Sequence, residues 1–248
     1  MINAIKQKML AGQPALGIVL GIGSPTVAGI LARCGFDFVL VDYQHGDWDD
    51  ASALGAFRAI SLGAAIPVAR VHQNDFYAIG RALDRGALGI VVPMVNSADE
   101  ARAAAFAMRY PPQGGRSFAG SLAVHYGPDY DTWANREVFL AVQIETVQAA
   151  ERAEEIVAVE GVDGCWIGPM DLARSMRVTS GAQTHEDTIQ RVLDVCRKTG
   201  KIPGIYAPDA VTARRRIEQG FLFVTASSDG ALIAEGGDAV LHQLGRAS

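Results

Sequence analysis

Phe139-Leu-Ala-Val-Gln-Ile-Glu145 is an apolar run closed by polar residues, and its continuation decides the fold. Val147, Ala150, Ala153/Glu154 and Val157 follow at helical spacing, and a second run, Val162-Asp-Gly-Cys-Trp-Ile-Gly168, comes next. Apolar runs without alternation are what strands buried on both faces require, so the stretch predicts strand–helix–strand in a parallel sheet. The same pattern recurs at Ala15–Leu20, Phe36–Asp42, Ile66–Val71, Leu88–Val95, Ile202–Tyr206 and Phe221–Ala226. Ser97-Ala-Asp-Glu100 reads as a capping box at the start of a helix carrying Ala98, Ala101, Ala105 and Met108. Strand then helix, repeated eight times over 248 residues, predicts an α/β fold of the (β/α)8 TIM-barrel kind in a single domain spanning 1–248. The strand ends at Val95 and Glu145 stand 50 residues apart, the widest gap, and Tyr110 through Trp133 in it predicts a long loop after strand 4 over one barrel end. A doubly wound open sheet is disfavoured, because Gly21-Ile-Gly-Ser-Pro-Thr lacks the third glycine of a nucleotide turn.

Composition narrows the function. With 22 Lys+Arg against 27 Asp+Glu the net charge is −5, and no basic block offers phosphates a footprint, which argues against a nucleic-acid partner. No apolar run approaches the ~20 residues of a bilayer span, and Met1-Ile-Asn-Ala-Ile-Lys lacks the features of a signal peptide. Cys34, Cys165 and Cys196 form no CxxC pattern, so each is expected to be a buried free thiol in a soluble, cytoplasmic protein.

In such a barrel the C-terminal ends of the strands carry the chemistry. The polar residues there are Asp42, Gln44, His45, Arg70, Gln143, Glu145 and Asp171. Glu145 and Asp171 are 26 residues apart, one βα unit, so their carboxylates should converge. Two oxygen ligands without cysteine or clustered histidine suit a hard divalent cation that keeps open positions for a bidentate 2-oxo acid. Each could equally pair with an arginine, and Asp171 in Gly168-Pro-Met-Asp-Leu could cap the next helix. Arg70 could hold a carboxylate or a developing enolate oxygen, or be spent on an ion pair with Glu145 or Asp42. His45, before Gly46, suits proton transfer at neutral pH, or is a solvated loop residue. Asp84 could orient that imidazole, or be a helix-end surface residue. His72, His125, His185 and His242 fall beyond a strand end, in the long loop, or in helical or surface segments, and read as bystanders.

Lysine placement excludes one route. Only Lys6, Lys8, Lys198 and Lys201 are present; the first two precede strand one and the others sit where strand seven begins, opposite the active end. None can form a Schiff base in the barrel mouth. Carbonyl chemistry here has to use a metal.

Asp42-Tyr-Gln-His-Gly46, Pro67-Val-Ala-Arg70, Leu83-Asp-Arg-Gly-Ala-Leu-Gly-Ile90 with Pro93, Tyr110-Pro-Pro-Gln-Gly-Gly-Arg116, Val142-Gln-Ile-Glu145 and Ile167-Gly-Pro-Met-Asp-Leu172 occur in that order. This ordered set resembles the HpcH/HpaI aldolase family, the class II metal-dependent pyruvate aldolases, from about residue 5 to residue 235. The resemblance implies a TIM barrel of the phosphoenolpyruvate/pyruvate type and reversible aldol cleavage of 4-hydroxy-2-oxo acids to pyruvate, or hydroxypyruvate, and an aldehyde. By the same resemblance Glu145 and Asp171 bind Mg²⁺, Mn²⁺ or Co²⁺, with no nucleotide cofactor. Arg70 stabilises the enolate, Gln143, Asp171 and the backbone at Met170 position the 2-oxo acid, and His45 supported by Asp84 is the acid/base. It also implies a homohexamer whose final helix packs on a neighbouring subunit. Gln44 stands where many members carry Glu, and Gln113, Gly115 and Ser117-Phe-Ala vary the usual loop. The alternatives are a citrate-lyase-β-like acyl-CoA lyase and a non-catalytic 2-oxo-acid binding protein.

Overall fold

The computed structural model describes residues 3–118 and 126–246. Within them eight parallel strands close into a barrel in chain order. They are β1 (Ala15–Leu20), β2 (Phe38–Asp42), β3 (Ile66–Arg70), β4 (Gly89–Val92), β5 (Phe139–Ile144), β6 (Gly164–Ile167), β7 (Gly204–Ala207) and β8 (Phe223–Ser228). Around the first half lie α1 (Ala4–Leu10), α2 (Pro25–Leu31), α3 (Asp50–Ile60), α4 (Phe76–Arg85), α5 (Ala98–Met108) and α6 (Tyr130–Glu137). The second half carries α7 (Val147–Glu151), α8 (Ala153–Val157), α9 (Pro169–Met176), α10 (Gln183–Thr199), α11 (Ala210–Gln219) and α12 (Asp229–Gln243).

Strand parity sorts the side chains. Val19, Phe38, Leu40, Val68, Val91, Phe139, Ala141, Trp166 and Phe223 fill the interior together with Ile5 and Met9 of α1, which plugs the N-terminal end. Their neighbours of opposite parity, such as Val39, Val41, Ala69, Ile90 and Ile144, face the helices. Phe38 and Phe223 stack across the interior at 4.4 Å, and a Cβ on Gly17 would collide with the Phe38 ring. Each such ring contributes about 2–3 kcal/mol by leaving water. Inward parity continued to the strand ends delivers Asp42, Arg70, Gln143, Glu145 and Tyr206 to the C-terminal mouth.

Several apolar runs overshoot their strands. Leu88–Val95 yields only Gly89–Val92, because Pro93 has no N–H to donate and Met94 turns to φ 56°. Ile202 keeps a single bridge to Gly164, so β7 starts two residues late, at Gly204. The capping box is also displaced: Ser97 accepts the Glu100 amide at 3.2 Å, but the Glu100 carboxylate receives the amide of Asn96, at 2.6 Å.

Within the 50-residue gap the expected helix is α5, and α6 begins at Tyr130, inside the stretch expected as loop. Tyr110 of the connection packs with Tyr130 and Trp133 of α6 on Leu88, at the N-terminal end of β4. This cluster therefore sits at the end opposite the mouth. His125 lies outside the described residues. Helix α12 begins with Asp229 accepting the amides of Gly21 and Ile22 at 2.8 and 3.0 Å, and then leaves its own barrel. Its Ile233 is 57% exposed, with Leu232, Val240 and Leu241 also uncovered. Cys165 and Cys196 are buried with their Sγ atoms 3.4 Å apart. Cys34 is exposed, against expectation: it follows α2 on a turn rather than lying on a helix face toward the strands. Among the described residues no helix is long and apolar enough to cross a membrane.

Candidate active site

A cleft of about 220 Å³ opens at the C-terminal mouth, lined among others by Asp42, His45, Arg70, Gln143, Met170 and Asp171. Asp42 and Arg70 are register partners at the ends of β2 and β3. Their ion pair is bidentate: Arg70 Nε donates to Asp42 Oδ1 at 2.8 Å and Nη2 to Oδ2 at 2.5 Å. Both side chains are buried, and the guanidinium lies 5.4 Å over the Trp166 ring. Such a fork keeps Arg70 fixed in a low-dielectric setting, with one face of its charge still directed to the cleft. Asp42 Oδ1 also accepts the amides of Gln44 (3.1 Å) and His45 (3.4 Å). One carboxylate thus ties the His45 loop to Arg70. His45 itself is exposed at the rim.

Glu145 continues β5 by one residue and is 2% exposed. Its Oε1 accepts the Met94 amide at 2.9 Å, and its Oε2 accepts the Gln143 side-chain amide at 2.5 Å. Burial pushes the Glu145 carboxyl above its ordinary range and the nearby Asp171 charge adds to this, while Met94, Arg70 and Gln143 pull the other way. Asp171 lies in the first turn of α9, half-exposed, with Arg174 at 3.3 Å. Glu145 is not paired with an arginine; Asp171 has a loose surface pair one helical turn away.

The residues fit a hard divalent cation. Two acids of which one is buried repel each other, and a cation removes that cost. Gln143 Oε1 is buried without a partner, and Gly168 opens the wall: a Cβ there would stand 2.8 Å from Glu145 Oε2. Among the described residues no cluster of three or more His, Cys, Asp or Glu forms a closed cage, so two carboxylates would leave positions for water or substrate oxygens.

Asp84 stands elsewhere. It is near the C-terminal end of α4, ion-paired with Arg116 at 2.8 Å in a different cleft. Because α4 runs back from the mouth before β4 begins, His45 and Asp84 lie toward opposite ends of one chain's barrel. Within a single chain Asp84 does not reach His45. Three contributors were not singled out from sequence. Trp166 and Tyr206 sit among apolar strand residues, though inward parity marks both. Met94 acts through its backbone, which no side-chain pattern reveals.

A family model described as HpcH/HpaI aldolase/citrate lyase matches residues 17–236. The chain is 38% identical to a 4-hydroxy-2-oxo-heptane-1,7-dioate aldolase of Escherichia coli, over 99% of this chain and 96% of that protein. Among solved structures it is similar to an HpcH/HpaI aldolase/citrate lyase family protein from Burkholderia cenocepacia, at a TM-score of 0.92 and 30% identity over 98% and 99% of the two chains. It also resembles macrophomate synthase, at a TM-score of 0.86 and 26% identity, covering 98% of this chain and 88% of that one. A match of this extent, on a closed barrel whose mouth gathers Asp42, His45, Arg70, Gln143 and Asp171, places the chain in the HpcH/HpaI aldolase/citrate lyase family.

Proposed function

We propose that the chain is a metal-dependent class II aldolase that reversibly cleaves 4-hydroxy-2-oxo acids to pyruvate, or hydroxypyruvate, and an aldehyde. Carbon–carbon lyase chemistry belongs to the family, and the E. coli relative is named for a substrate of this class. The observation that carries the reading is the acid pair, Glu145 buried with only uncharged donors and Asp171 with a loose surface pair, beside an arginine held rigid by Asp42.

Glu145 and Asp171 would hold Mg²⁺, Mn²⁺ or Co²⁺, which supplies a Lewis acid for the oxygens of a 2-oxo acid. Arg70 directs a fixed positive charge toward the oxygen that gains charge as the C3–C4 bond breaks, and needs little reorganisation to do so. Gln143, already donating to Glu145, orients that carboxylate and offers Oε1 inward. The amide region at Met170 opens α9 toward the substrate's carboxylate, as a helix start does. His45 takes the proton of the 4-hydroxyl in cleavage and returns it in addition. Support for His45 from Asp84 is open only between two copies of the chain. The uncovered apolar stripe of α12 favours such an oligomer, and a hexamer is the form the family resemblance implies. Three unbridged cysteines suit a cytoplasmic setting. A cleft of about 220 Å³ suits a small acid better than an acyl-CoA.

Incubation with pyruvate in D₂O tests the reading. Methyl deuteration that EDTA abolishes and borohydride leaves intact is expected. Exchange that survives EDTA overturns it.

A further inference from the structure

His185 looks like a bystander in sequence, yet it is 1% exposed, in the first turn of α10, and both ring nitrogens are engaged. The Gly181 amide nitrogen lies 3.1 Å from Nδ1, and the Pro169 carbonyl oxygen lies 2.8 Å from Nε2. An amide N–H only donates and a carbonyl only accepts. The site therefore admits one neutral tautomer, with Nδ1 accepting from Gly181 and Nε2–H donating to Pro169. Pro169 is the first residue of α9, one before Met170 and two before Asp171.

That helix start lacks a cap of its own. Gly168 has no side chain to offer, so the first turn has to be held from outside. His185 holds it from beneath. On the other side Ser175 Oγ accepts the Val147 amide at 3.0 Å, tying α9 to the segment two residues past Glu145. His185 is anchored in turn, because adjacent Glu186 receives Arg216 of α11 through both oxygens at 2.6 and 2.8 Å. A continuous path runs from α11 through α10 to Pro169, two residues before the second carboxylate.

We propose that His185 is a positioning residue that fixes the first turn of α9, and with it the spacing of Asp171 from Glu145. This rests on the carboxylate pair being a cation site. His185 never touches substrate; its effect passes through the Pro169 carbonyl.

Two near-isosteres separate the two bonds. Asn places an oxygen where Nδ1 stood and keeps the Gly181 contact; Gln places an amide nitrogen where Nε2 stood and keeps the Pro169 contact. On EDTA-treated protein, Mn²⁺ titration by calorimetry and hydrogen–deuterium exchange over residues 168–176 should both single out H185N. Its Mn²⁺ affinity should fall about 10–100-fold, the usual effect of losing an outer-shell partner, and its 168–176 amides should exchange faster. H185Q should stay within about threefold of the parent. Equal behaviour of the two variants, or losses that follow Tm alone, overturns the proposal. If H185N does not fold, nitrogen shifts of the parent's imidazole decide: an Nε2–H tautomer supports the latch, and an Nδ1–H tautomer overturns it. Should the parent and E145Q both fail to bind Mn²⁺, the cation reading falls, while the exchange contrast still judges the latch.

Discussion

Asp163 at the N-terminal end of the barrel and Glu145 at the C-terminal end are carboxylates set among apolar strands, in surroundings of opposite sign. Asp163 meets Lys6 at 2.9 Å and Arg109 at 3.7 Å and accepts the Leu140 amide at 2.8 Å. Lys201 stands near, donating to the Val162 carbonyl at 2.6 Å, its ammonium pushed down by burial. Lys6 also donates to the Arg136 and Val138 carbonyls, tying α1 to the start of β5, and Glu160 adds a second acid beside Arg109. Glu145 receives two uncharged donors, and its acidic neighbour Asp171 repels it. The one buried cation close by, Arg70, has its fork occupied by Asp42. One end is balanced for stability. The other keeps a surplus of negative charge, which marks it as the end built to receive a cation.

The largest expected effect tests that surplus directly. Glu145→Ala should remove measurable Mn²⁺ binding and lower the pyruvate exchange rate by about 10³-fold, since Lewis-acid stabilisation is worth several kcal/mol. Tm should move by only a few degrees, because the rest of the wall stays packed. An unchanged Mn²⁺ titration in this variant would break the comparison.

Stability gives the next contrast, in sign rather than size. Asp163→Asn leaves Lys6, 8% exposed, without its counter-charge, at a cost of about 3 kcal/mol or roughly 6–12 °C in Tm. Glu145→Gln in EDTA-treated protein removes a buried charge that its surroundings oppose. A gain on the order of 1 kcal/mol, or roughly 2–4 °C, is expected by calorimetry. If both variants lose stability alike, Glu145 is a balanced structural acid and the difference between the ends disappears.

Much of this was legible in the sequence because period and arithmetic survive folding. Phe139–Glu145 and its seven counterparts announce doubly buried strands, and one βα unit between Glu145 and Asp171 brings them to one mouth. Asp84 was misplaced for a reason that spacing cannot show. The sequence leaves it open between orienting His45 and standing at a helix end, and α4 carries it to the far side of its own chain, where Arg116 holds it. The fate of Arg70 was open between two acids until register set Asp42 opposite it. Met94 acts through its own backbone amide and His185 through backbone groups of other segments, so neither side-chain type nor periodicity could reveal them. The stretch expected as a long loop after strand 4 brings Tyr110 to Leu88, at the end of the barrel opposite the mouth, a placement that spacing alone does not fix.

Glu186 supplies the smallest test, and a control for the other two acids. Hydrogen bonds from Arg216 hold its carboxyl below the ordinary range, the reverse of Glu145, with burial opposing and Arg215 adding a further pull. A carboxylate with a lowered folded pKa stabilises the fold above its ordinary value, and that contribution is lost as pH falls through the lowered one. The parent should therefore lose this contribution, roughly 2–4 °C of Tm, as pH falls below about 4.5. Arg216→Gln should cost on the order of 1 kcal/mol at pH 7, allowing for partial solvent screening, with the Tm gap to the parent closing as pH falls toward 3. A gap that stays constant across this range would mean that Arg216 contributes packing rather than charge. The path from α11 to His185 would then be steric, and the balanced and unbalanced acids of this barrel could not be told apart by titration alone.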